Sequence, residues 1–183
     1  AEAFCTEYRL PLPPDEERAY AYADKRNRFR IASENSRKVP LAEELIANHA
    51  DDHILIIGQY LSQLEKISAH LKLPLITGKT RHEEREKLYG HFKAGRLRAL
   101  VVSKVANFAV DLPDANVMIE ISGMFGSRQE EAQRLGRILR PKHRPSHFYT
   151  LVSRGTDEQR FAVNRQIFLV EQGYKYQIRY EEP

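Results

Sequence analysis

The sequence predicts an open α/β fold: a parallel sheet with helices packed on both of its faces. Two observations predict it. Runs such as HILIIG (53–58) and RALVVS (98–103) are apolar throughout rather than alternating, as strands covered on both sides must be. Stretches of helical periodicity, long enough to serve as crossovers, separate these runs.

The elements follow in order. PLPP (11–14) breaks the chain before DEERAYAYADKRNRFRIA (15–32), a helix candidate with Asp15, Glu16 and Glu17 in the first turn, where the helix dipole favours acids. A second helix is expected over 41–49, after Pro40. The strand HILIIG comes next, and YLSQLEKISAHL forms a helix with Leu61, Leu64, Ile67 and Leu71 on one face. PLIT (74–77) reads as a short strand. Thr80 with Glu83 then makes a capping box that opens RHEEREKLYGHF as a helix. RALVVS and NVMIEIS (116–122) are strands, and a helix begins at Ser127, where Glu130 completes another capping box. HFYTLVS (147–153) is the last strand, and Thr156 with Gln159 caps a long helix that ends before Gly173.

At 183 residues the chain suits one well-buried domain, over 51–183, with a lead-in of helices over 1–50. The sequence does not decide whether that lead-in packs on the domain. The chain opens AEAF without a methionine, which suggests a fragment of something longer or a processed terminus. Hydrophobic content of 42% with 30% charged residues is ordinary for a soluble protein, and no apolar run approaches a membrane span. Cys5 is the only cysteine, which excludes an internal disulfide and fits a reducing compartment. The seven histidines show no ligand spacing, so no structural metal is expected. Net charge is +4, and its distribution is uneven: RLGRILRPKHR (134–144) holds five basic residues and no acid.

In parallel sheets ligands meet the loops at the carboxyl ends of strands, so the segments after Gly58, Thr77, Ser103, Ser122 and Ser153 are the ones to read for function. Gly78-Lys79-Thr80 resembles the close of a nucleotide-binding P-loop. The pattern GxxxxGK[ST] would need its first glycine at position 73, which is Leu73, and the residues between belong to a strand. The phosphate-cradling loop is therefore missing. Asp157-Glu158 resembles a Mg²⁺ pair, but it lies several residues past its strand, at a helix start, and reads as a cap and dipole partner.

QRLGRILR carries the chemistry. With Gln133 placed at 0° and about 100° per residue, Arg137 falls near 40° and Arg140 near 340°. Ala132, Leu135, Ile138 and Leu139 take the opposite side, so this helix aims two guanidiniums and an amide outward together. Gly136 at the edge of the stripe leaves room for a large ligand. Two arginines a turn apart repel unless water or a shared polyanion sits between them, and a triphosphate is such a polyanion.

These residues match QxxGRxxR, motif VI of superfamily 2 helicases. With SKVxxxxxDLPxAN (from Ser103), EAQRLGRxLR and RQxFLVxQGY, the chain from Ile54 to Tyr176 resembles the second RecA-like domain of the xeroderma pigmentosum group B (XPB) helicase family. The resemblance implies a RecA-like sheet forming the C-terminal half of an ATP-dependent 3′–5′ DNA helicase or translocase of nucleotide excision repair or transcription. ATP and Mg²⁺ would be bound mainly by an amino-terminal RecA-like domain of the same parent chain. It further implies that Arg137 and Arg140 are arginine fingers and that Gln133 senses the γ-phosphate. Asp111 would face the nucleotide, and capping a turn before Pro113 is its equally open structural role. Ser103 and Lys104 would contact a DNA phosphate. Gln59 and Tyr60 would either pack near DNA or cap the next helix. Gly78, Lys79 and Thr80 would hold another DNA phosphate through backbone amides and the Lys79 charge. Ala109-Val110 replaces a frequent motif V glycine, and Lys142 to Pro145 is a short connection, so exact contacts are not transferable.

The family implies an intracellular protein, in cytoplasm or nucleoid or in the nucleus, with DNA and a nuclease or a transcription or repair complex as partners, and no membrane. Lacking P-loop and Mg²⁺ box, these residues alone are expected not to turn over ATP. Competing readings are an RNA helicase or chromatin-remodelling motor, a non-catalytic nucleic-acid-binding module, and a small P-loop kinase using Lys79.

Overall fold

The computed structural model describes residues 2–103, 115–122 and 144–182. They form a seven-stranded sheet in the order β3-β4-β2-β5-β6-β1-β7. The strands are β1 (Ala3–Leu10), β2 (Ile54–Gly58), β3 (Leu75–Ile76), β4 (Ala99–Ser103), β5 (Val117–Glu120), β6 (Ser146–Ser153) and β7 (Lys175–Tyr180). Every neighbouring pair runs parallel. The helices described are α1 (Pro14–Tyr22), α2 (Lys25–Ser33), α3 (Lys38–Asn48), α4 (Leu61–Leu71), α5 (His82–Lys93) and α6 (Asp157–Glu171).

The two faces of the sheet account for the unbroken apolar runs. Ile54 and Ile56 of β2 point into a core with Leu41, Leu45 and Ile46 of α3 and Leu64 and Ile67 of α4. Leu55 and Ile57 point the other way, toward Tyr89 and Phe92 of α5 and Leu169 of α6. Side chains alternate along a strand, and both sides here are covered, so neither position can be polar without a buried partner.

The lead-in packs on this sheet and enters it. β1 lies between β6 and β7, with Ala3 opposite Ser146 and Phe4 opposite Lys175. Its pattern does not read as an interior strand because Glu7 and Arg9 interrupt the apolar positions. Both are nevertheless buried: Arg9 Nε donates to Glu7 Oε2 at 2.6 Å and Arg9 Nη1 to the Tyr180 hydroxyl at 2.8 Å. The Tyr176 hydroxyl donates to Glu7 Oε1, and burial raises its pKa so that it stays a neutral donor. β7, at the sheet's edge, is also unmarked in the sequence because its side chains are largely exposed.

Other boundaries shift for local reasons. The helix expected over 15–32 is two helices. Ala23 is extended, and Asp24 caps α2 by accepting from the Asn27 N–H at 2.9 Å. α3 begins at Lys38 and takes in Pro40, tolerated because the first turn needs no amide donor there. α6 stops as expected: Gly173 adopts φ +92°, its N–H reaches Val170 O at 3.0 Å and the Tyr174 N–H reaches Leu169 O at 3.0 Å. Among the described residues no helix is long and apolar enough to cross a membrane.

At the amino ends of the strands a polar cluster ties α3 to β5 and β6. His49 Nδ1 lies 2.8 Å from Asp52 Oδ2, and His49 Nε2 lies 2.6 Å from the Tyr149 hydroxyl. Burial pushes the Tyr149 pKa up to about 12, so its hydroxyl stays protonated in this contact. Asp52 also accepts from Asn116 and from Arg144, the latter at 3.0 Å. Burial alone would raise the Asp52 pKa, but the bonds from His49, Asn116 and Arg144 outweigh it and hold the carboxyl below its usual value. The stability this supplies is complete above the unfolded-state pKa of about 3.9 and is lost as pH falls through the lower folded value. Urea titrations of the chain and of Asp52→Asn should therefore differ at neutral pH, and the difference should shrink as acid protonates Asp52 in the folded chain.

Candidate nucleotide and nucleic-acid interface

The carboxyl edge of the sheet gathers most of the segments singled out from sequence. In strand order, the exits are the 77–80 turn after β3, Ser103 after β4, Gly58 to Tyr60 after β2, Ile121-Ser122 after β5, and Ser153 to Thr156 after β6. Asp111, Gln133, Gly136, Arg137 and Arg140 lie outside the described residues, as do Lys104 and the helix expected from Ser127. The points from which their segments leave the sheet are described. Ser103 and Ser122 end the stretches on either side of β2, so both segments depart from strands that flank one central exit.

That central exit is tightly closed. Gly58 sits opposite Ser103, and a Cβ on it would meet Leu64 Cδ2 at 2.8 Å and Ser122 Oγ at 3.0 Å. The Ile121 N–H donates to Ile57 O at 2.8 Å and the Gln59 N–H to Ser122 Oγ at 2.7 Å, extending the β2–β5 contact past the last ladder pair. Gln59 presents its side chain to solvent. Tyr60 takes the N-cap position of α4 without a side-chain cap bond, and its ring packs beneath the Arg30 guanidinium, 5.3 Å from the centroid. Ser103 is buried at the foot of β4.

The 77–80 turn corrects part of the phosphate-site expectation. α5 starts at His82 with Arg81 as N-cap, so the Thr80–Glu83 capping box does not form. Thr80 Oγ1 instead accepts from the Thr77 N–H at 2.9 Å. The Lys79 N–H donates to Thr77 Oγ1 at 3.1 Å and the Thr80 N–H to Thr77 O at 3.2 Å. Those two amides are consumed inside the turn. The exposed Lys79 side chain makes no ion pair among the described residues and remains able to meet an anion.

Asp157 and Glu158 occupy the first turn of α6, where the sequence reading placed them as dipole partners, and both have further side-chain or backbone partners. Glu158 is buried, its Oε1 accepts from the Ser153 N–H at 2.7 Å, and both its oxygens lie 2.9 Å from Lys38 Nζ. Asp157 pairs with Arg160. This pair supplies no open acidic ligands, and among the described residues no group of three His, Cys, Asp or Glu could hold a metal ion. Thr156 is the N-cap of α6, but its hydroxyl donates to Ser153 O at 2.7 Å, while Gln159 reaches back to the Gly155 N–H at 2.9 Å. Lys38 is the functional-edge residue that the sequence did not flag. In the string SRKVP it looks like any solvated lysine, yet it is fully buried.

A seven-stranded parallel sheet sealed on both faces is the fold of RecA-like helicase C-terminal domains. The C-terminal domain of the DEAD-box protein Dbp5 superposes with TM-score 0.74 at 13% identity, covering 97% of this chain and 90% of that one. The C-terminal domain of a Sulfolobus solfataricus SWI2/SNF2 ATPase gives 0.63 at 18% identity, covering 93% and 87%. Within that class the chain belongs to the ERCC3/RAD25/XPB C-terminal helicase family, whose model matches residues 1–182. It is 51% identical over 180 residues to a DNA 3′-5′ helicase XPB of Kineococcus radiotolerans, covering 97% of this chain and 32% of that protein. It is 48% identical to the DNA 3′-5′ helicase XPB of Mycobacterium tuberculosis, covering 98% and 33%. Against the Danio rerio general transcription and DNA repair factor IIH helicase/translocase subunit XPB it is 35% identical, covering 97% and 24%. The chain thus spans about a third or less of these relatives' length.

Gly58→Ala tests the closed exit. The buried Leu64 and the bonded Ser122 have no room to retreat, so the change should cost about 1–3 kcal/mol in chemical denaturation.

Proposed function

We propose that this chain is the second RecA-like half of an XPB-type, ATP-dependent 3′–5′ DNA helicase or translocase acting in nucleotide excision repair or transcription. Arg137 and Arg140 reach the γ-phosphate of an ATP held mainly by an amino-terminal RecA-like domain of the same parent chain. Gln133 senses that phosphate, Gly136 leaves space for it, and Asp111 faces the nucleotide. Mg²⁺ belongs to the companion domain, because Asp157 and Glu158 are already committed to Arg160 and Lys38. Ser103, Lys104, Lys79 and Gln59 follow the DNA backbone along the same edge, with Gly78 and Thr80 shaping the turn that presents Lys79. The chain alone does not hydrolyse ATP.

The observation that supports this best is the convergence of segment exits. In a chain of the XPB family, the stretches bearing these residues begin at Ser103 and Ser122, next to the central β2 exit. Arginine fingers act by neutralising charge that develops on the transferring phosphoryl group. The protein works inside the cell, on DNA, with a nuclease or a transcription or repair complex beside it.

In the full-length parent, Arg137→Ala is expected to lower DNA-stimulated ATP turnover about a thousandfold with little change in DNA affinity. Steady-state turnover and equilibrium binding read the two quantities. Unchanged turnover removes the assignment, and stimulation by RNA in place of DNA redirects it to an RNA motor. Lys79→Ala should weaken DNA binding uniformly across sequences and reduce the salt-dependence slope by about one.

A further inference from the structure

We propose that Lys38, paired with Glu158, is a positioning residue for ATP turnover: it fixes the point from which the chain leaves β5 toward Gln133, Arg137 and Arg140. The inference rests on the functional reading above.

Lys38 is wholly buried at the start of α3 and heads the largest fully buried side chains. An ammonium has three protons to place. Nζ donates to Ile121 O at 2.6 Å and lies 2.9 Å from each oxygen of Glu158. Burial drives its pKa down, and the Glu158 charge opposes that fall. Glu158 Oε1 also accepts from the Ser153 N–H, so one carboxylate joins the exits of β5 and β6 through a single lysine.

Stability gives no reason to keep this pair. Taking both charges out of water costs several kcal/mol per ion, and apolar residues of similar volume often serve a core equally well. An apolar side chain cannot hold a carbonyl oxygen, however, and the oxygen held here is a particular one. Ile121 lies just past the last ladder residue of β5. Its N–H is fixed by Ile57 of β2, its C=O by Lys38, and the next residue, Ser122, by the Gln59 N–H. Residue 123 begins the segment that carries the proposed fingers. Below this anchor, Arg165 of α6 bridges Glu120 and Thr150, the latter at 2.7 Å, so the strand cannot slide beneath it. Catalysis by oriented charge is steeply sensitive to placement, where an error near 1 Å costs on the order of a hundredfold.

The test uses the full-length parent and the double variant Lys38→Met/Glu158→Gln, which removes both charges and leaves neither unpaired. It should fold cooperatively and keep its DNA affinity and its KM for ATP, while kcat falls at least about tenfold, the signature of a contact realised only in the transition state. Ile56→Val, a core change that leaves the Lys38–Glu158 pair intact, should keep kcat and so separates positioning from mere destabilisation. Should the double variant not fold, Lys38→Leu/Glu158→Gln, which likewise removes both charges together and the bond to Ile121 O, carries the same expectation. Parental kcat in the folded variant, in a protein that Arg137→Ala inactivates, overturns the proposal. Turnover that survives Arg137→Ala instead overturns the site reading and this inference with it.

Discussion

Burial of both faces of one parallel sheet is the constraint from which the rest of this structure follows. Successive residues of β2 enter two separate cores, one floored by α3 and α4 and the other by α5 and α6. No face of the central strands is left for polar side chains or a ligand. Chemistry must therefore collect where the strands stop, and at the carboxyl edge the exits of β3, β4, β2, β5 and β6 lie side by side. That edge is the surface this packing leaves open to a ligand.

The few charges admitted to the interior are concentrated on the half of the sheet built by β5, β6 and β1. Lys38 meets Glu158, Arg165 meets Glu120, and Arg9 meets Glu7, all at buried or nearly buried positions. Each pair joins elements far apart in sequence or braces a strand against its neighbour. Pairs of this kind add little net stability, but they penalise alternatives in which one partner is left alone in a dry interior. They trade apolar cohesion for a defined register at the strand exits.

What could be read in advance follows from these contrasts. The strands near 53–58, 98–103, 116–122 and 147–153 were legible because double burial writes itself as an unbroken apolar run. β1 was hidden because Glu7 and Arg9 complete their bonding with Tyr176 and Tyr180, 169 and 171 positions away. The Thr80–Glu83 signal pointed to the right turn but misjudged its bonds, since the threonine closes the loop rather than the helix. Asp24 was a usable cap signal inside a stretch that periodicity alone ran together. Within the candidate site, Gln133, Arg137 and Arg140 lie outside the described residues, so their shared stripe is an expectation from spacing alone. Lys38 was not legible, because its partners Ile121 and Glu158 lie 83 and 120 positions away.

The placement of β1 has a consequence for how the molecule is made. Its hydrogen-bonding neighbours, β6 and β7, follow β2 to β5 in the chain, so β1 waits unpaired while the middle of the sheet can already assemble. During that interval both its edges are open to wrong partners, and closure depends on the least local contacts in the chain, which form slowly. A nascent-chain chaperone would find its natural client in those eight residues.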